Sequence, residues 1–191
     1  MPGLQADNNP AVQRFLTWIH RRRVRDESLP DFVPLTEVAD FFRDHQRVRD
    51  IIKAVIVDEE NRPHPSAITS NFARVFCILV AISRGRFIQH FLRHGLNDDL
   101  LPFQSRPPSF PNDSSDSPNS PFFDSFQRHQ WRFCSPKLSH VEQAGEMREF
   151  PIGTILPFLR KRLVGGGGSA FVYEVEIHHD HNHLLVGQRQ V

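Results

Sequence analysis

The sequence predicts a chain of mixed α and β structure (α+β overall): a mainly α N-terminal domain, then a disordered linker, then a β-hairpin. Three observations predict it. Apolar residues recur at helical spacing in the first half, as in Val38, Phe41, Phe42, Val48, Ile52 and Val55. Composition then shifts to Ser, Pro, Asn and Asp between Gln104 and Asp124. Finally, Phe171, Tyr173, Val175 and Ile177 alternate with Val172, Glu174 and Glu176, which is the period of a strand. The expected boundaries are 1–103 for the helical domain, 104–128 for the linker and 129–191 for the hairpin region.

A chain of 191 residues suffices for one ordinary domain, or for a small domain with part of another. A formal charge of +1 gives no field to attract nucleic acid or an anionic membrane. Cys77 and Cys134 form no spacing pattern, so a reducing compartment is expected, cytoplasmic or nuclear. The first ten residues carry no basic-then-apolar signal. The longest apolar run, Val75 to Ile82, is far short of the roughly 20 residues that span a bilayer.

In order, Asn9-Pro10 caps a first helix carrying Val12, Phe15, Leu16 and Ile19. The basic run His20 to Arg25 is its solvated end, with arginines near the helix carbonyls. Pro30 and Pro34 break it, and Thr36 is the expected N-cap of one amphipathic helix running to Val55. A loop around Pro63 and Pro65 follows, after which Ser66 or Ser70 caps the next helix. Phe72, Val75, Phe76, Leu79, Val80 and Ile82 make that helix nearly apolar all round and the centre of the core. Phe87, Ile88, Phe91 and Leu92 form a last short helix, closed by Gly95. Beyond the linker, Trp131 to Pro136 reads as an extended segment packed on the hairpin.

The hairpin carries the one motif with a chemical meaning. Ile155 to Val164 supplies a first strand, Gly165 to Gly168 with Ser169 a loop, and Phe171 to Ile177 a second strand. A loop without Cβ atoms lets backbone amides approach a phosphate closely. Read with spacing, Gly165-x-Gly167-x-x-Ala170-x-Val172 resembles the Gly-rich loop of protein kinases, with Ala170 where the third glycine stands. The order of segments is similar to that of fungal serine/threonine protein-kinase-like proteins, which carry a helical region ahead of the kinase domain. The resemblance implies ATP as the ligand, held by Gly165, Gly166, Gly167, Gly168, Ser169 and Ala170, with Val172 on the adenine. It implies that residues 129–191 are the start of a truncated small lobe.

The rest of a phosphotransferase is missing from the sequence. Its three lysines, Lys53, Lys137 and Lys161, all precede the glycines, and no Val-Ala-Ile-Lys, His-Arg-Asp or Asp-Phe-Gly follows. No catalytic residue is therefore assigned, ATP binding by this chain alone is expected to be weak or absent, and Mg²⁺ belongs only to a complete kinase. A second class of function is a non-catalytic interaction module that engages a protein partner through the helical domain. The run His178-His179-Asp180-His181-Asn182-His183 could chelate Zn²⁺ or Ni²⁺, but all its donors sit on one turn, so it is read as the loop after the second strand and not as a metal site.

Overall fold

The computed structural model of the chain describes residues 9–26, 29–112, 121–139, 149–168 and 170–184, with backbone alone for Arg25 and Asp26. Among them are seven α-helices and three two-stranded sheets. Helix α1 (Pro10–Arg22) starts as its sequence dictates: the Asn9 side chain accepts the Ala11 N–H at 2.9 Å, and proline stands in the first turn, where no donor is lost. It buries Val12, Phe15 and Ile19 and leaves His20 to Arg22 in the last turn. Where the prolines predict only a break, β1 (Val24–Asp26) and β2 (Leu29–Phe32) pair antiparallel.

The single helix expected from Thr36 to Val55 is two. Helix α2 (Leu35–Phe42) ends at Arg43, and Asp44 then accepts the N–H groups of Gln46 and Arg47 at 3.0 and 3.2 Å to start α3 (His45–Val55). The side-chain cap satisfies donors that a continuous helix would have bonded, so the break carries its own compensation. Thr36 caps nothing; its hydroxyl donates to Asp180 Oδ2 at the far end of the chain.

Helices α4 (Pro65–Asn71), capped by His64, and α5 (Ala73–Ala81) follow, and α5 is buried at every position from Val75 to Val80. It is the centre of the core, as its all-round apolar pattern predicts. Helix α6 (Ile88–His94) ends at Gly95, whose φ of 64° is the left-handed conformation that glycine adopts without strain.

The expected linker departs most from its reading. Residues 121–128 are not linker: α7 (Phe122–Gln130) packs against α5. Phe110, Phe122 and Phe126 are buried and interlock with Phe91, at ring-centroid distances of 5.4 Å for Phe91–Phe110, 4.9 Å for Phe110–Phe122 and 5.5 Å for Phe91–Phe126. The polar composition averages over these phenylalanines, yet each buries enough ring to outweigh its neighbours. Residues 113–120, the densest Ser/Pro stretch, lie outside the described residues. Trp131–Phe133 is a 3₁₀ turn, not an extended segment, and the Arg132 carbonyl accepts the Val33 N–H at 2.8 Å.

Strand β4 (Phe158–Gly167) and β5 (Ala170–Ile177) form the expected antiparallel hairpin, and β6 (Asn182–His183) runs parallel to β3 (Leu138–Ser139). No helix among the described residues is long and apolar enough to cross a membrane.

Candidate functional site

The β4–β5 hairpin carries the glycine motif of the sequence, and its register decides what that motif can do. Lys161, Arg162 and Leu163 face Val175, Glu174 and Tyr173; after an irregularity at Val164, Gly165, Gly166 and Gly167 face Val172, Phe171 and Ala170. Three of the four glycines are therefore strand residues, not a loop. The extra residue at Val164 is a β-bulge, which resets the register so that the ladder closes on a two-residue connection. That connection is Gly168 and Ser169; Ser169 lies outside the described residues. Positive φ among the described glycines occurs at Gly95 and Gly153, not in this run.

A Cβ added at Gly165, Gly167 or Gly168 would meet nothing within 4 Å among the described residues. Gly166 differs: there a Cβ would meet Cδ1 of Phe171 at 2.9 Å, so the ring lies directly over the glycine. Ala170 opens β5, and Val172 stands across from Gly165 with 59% of its surface exposed.

Alternation divides the hairpin into two unlike faces. One carries Arg160, Arg162, Val172, Glu174 and Glu176, and the Arg162 guanidinium donates to Glu174 Oε2 at 2.9 Å from Nε and 2.5 Å from Nη2. The other carries Lys161, Leu163, Phe171, Tyr173 and Val175, with Lys161 Nζ 4.0 Å from the centre of the Tyr173 ring. On that second face Leu163, Phe171 and Tyr173 are 55%, 68% and 43% exposed.

Two further arrangements stand outside the hairpin, the first of them not legible in the sequence. Buried Asp98 accepts the Arg74 N–H through Oδ2 at 3.0 Å and the Val75 N–H through Oδ1 at 2.9 Å, capping α5, which has no side-chain cap of its own. Arg74 Nη2 donates in turn to the Asp98 carbonyl at 2.6 Å. Burial pushes the Asp98 carboxyl above its ordinary value, against the pull of these two amides and of Arg74. Only the separation of 24 residues hides this cap from a local reading. Beside it a cleft of about 470 Å³ is lined by Leu35, Val38, Phe42, His45, Thr69 and Arg74 among others. Arg43 at its rim is paired with Asp40 at 2.6 Å, and Arg74 is committed to Asp98, so among the described residues no free arginine converges there.

The second arrangement is the C-terminal histidine turn, a 3₁₀ turn over His179–His181. His181 is fully buried; its Nδ1 donates to the Pro136 carbonyl at 3.0 Å, and its Nε2 has no partner among the described residues. Burial pushes the imidazoles of His178 and His181 below their ordinary value. No protein-family model, curated protein or solved structure matches the chain.

Proposed function

We propose that the chain is a non-catalytic interaction module whose working surface is the apolar face of the β4–β5 hairpin, occupied by the same face of a second copy. The observation that carries this reading is the contrast between the two faces. One is polar apart from Val172 near the turn, with Arg162 and Glu174 neutralising each other across the strands. The other exposes Leu163, Phe171 and Tyr173 to water. A two-stranded hairpin is marginal in water unless its apolar face is covered.

Two copies of this face fit one another. Two hairpins stacked face to face about a two-fold axis along the strands set β4 of each over β5 of the other. Leu163 of one copy then lies over Tyr173 of the other, while Arg160, Arg162, Glu174 and Glu176 stay on the outer face in water and Lys161 remains on its tyrosine. Sedimentation should show a reversible dimer that Phe171→Asp or Tyr173→Asp dissociates. Val57→Asp, at a residue 83% exposed and outside the hairpin, should leave the dimer intact. A monomer at all concentrations contradicts the reading.

A second reading keeps the likeness to the kinase Gly-rich hairpin, with ATP phosphates against Gly165 to Ala170. It is favoured by the open space over Gly165, Gly167 and Gly168, none of which needs glycine for its φ. Glycine inside a strand weakens it, and close approach of a ligand to the backbone is one use that compensates. With no lysine beyond the loop, affinity is expected in the millimolar range, about −4 kcal/mol. Calorimetry with Mg-ATP tests it: micromolar binding that Gly167→Val abolishes would establish this reading over the first.

A further inference from the structure

In the C-terminal turn the ligand-bearing atoms of His178, His179 and Asp180 all lie within 4.8 Å of one another. His179 Nε2 is 2.9 Å from Asp180 Oδ1, and His178 Nδ1 is 3.8 Å from Asp180 Oδ2. His178 Nδ1 also accepts the Asp180 N–H at 3.3 Å, so that nitrogen is unprotonated, and a metal bound there replaces this long hydrogen bond. A run of histidines on a free turn has no fixed geometry. This turn is held from three sides. The Thr36 hydroxyl, at the start of α2, donates to Asp180 Oδ2. Phe32 of β2 stands edge-on to His178 and His181, with ring centres 5.8 and 5.6 Å away. The Pro136 carbonyl, ahead of β3, accepts from His181.

We propose that His178, His179 and Asp180 form a Zn²⁺ site, with the fourth position left to water. Two imidazoles and one carboxylate make a donor set that suits zinc better than calcium or magnesium, which take oxygen alone. Tetrahedral zinc with bonds of about 2 Å sets its ligands about 3.3 Å apart; the His178 and His179 rings, stacked here with centres 4.5 Å apart, turn out of that stack so that both lone pairs point at the ion. Thr36 is the positioning residue: by bonding Oδ2 it orients the carboxylate toward the imidazoles, as outer partners of metal ligands do.

The test is titration of the full chain, free of any polyhistidine tag, with Zn²⁺ against a chromophoric chelator, beside thermal melts. One ion should bind per chain with a dissociation constant of about 10 μM or tighter, and saturating Zn²⁺ should raise the melting temperature. His179→Ala, at a side chain 85% exposed and so without risk to folding, should weaken binding by about tenfold or more. Thr36→Val should also weaken it, by about tenfold. His183→Ala, exposed and outside the trio, should change nothing. A merely chelating tract behaves otherwise: His179→Ala and His183→Ala weaken binding equally and Thr36→Val has no effect. That pattern, or a dissociation constant above about 100 μM, overturns the proposal.

Discussion

The side chain of Gln130 closes both backbone bonds of Phe103: Oε1 accepts the Phe103 N–H at 2.8 Å, and Nε2 donates to the Phe103 carbonyl at 3.0 Å. Gln130 is fully buried, at the end of α7, and acts toward Phe103 as a neighbouring strand would. Replacing it with alanine strands two buried backbone groups, at about 1–3 kcal/mol each. Gln130→Ala should therefore lower the unfolding free energy by about 2–6 kcal/mol in urea. Gln130→Glu should cost a similar amount, because an ionised carboxylate offers no donor to the carbonyl.

Phe110 tests the reassignment of the expected linker. It contacts Phe91, Phe103, Phe122, Phe123 and Phe126, and 4% of its surface is exposed. Phe110→Ala should cost about 3–5 kcal/mol, the range for a large ring lost from a core. A loss under about 1 kcal/mol would mean that this segment folds apart from the helices.

Asp98 ties a titration to stability. Its loss removes the cap of α5, so Asp98→Ala should cost about 2–3 kcal/mol. Burial holds its carboxyl above the ordinary 3.8, so the folded state keeps that proton more tightly than the unfolded chain. The contribution from this titration is fully present below 3.8 and is lost as pH rises through the folded value. Urea titrations should find the deficit of Asp98→Ala larger below 3.8 than at neutral pH.

The two thiols should be inert in the native state. Cys77 lies within α5, and burial pushes its thiol well above the ordinary range; Cys134 is pushed up to about 12 by the same cause. Since the thiolate is the nucleophile, neither should react with a thiol reagent at neutral pH until urea unfolds the chain. Rapid labelling of Cys77 without denaturant would show that α5 opens locally.

What the sequence made legible was periodic and local. The apolar stripe of α1, the all-round apolar α5, the glycine that closes α6 and the alternation of β5 can each be read within one turn or one strand. What it hid was long-range. Asp98 caps a helix 24 residues away, and Thr36 bonds a carboxylate 144 residues away, so both look like ordinary surface polars. The bulge at Val164 was equally hidden, because register depends on the partner strand. It alone turns an apparent glycine loop into a paired ladder, and with it the reading of Gly165, Gly166 and Gly167 changes. The phenylalanines of α7 were masked by polar neighbours that average them away.

The claim that the hairpin's apolar face is an interface between copies is tested most directly by hydrogen exchange at two protein concentrations, one well below and one well above the dimer dissociation constant. The amides of β4 and β5 should exchange more slowly at the higher concentration, and those of α5, buried in either state, should not change. Identical exchange in β4 and β5 at both concentrations would contradict the account.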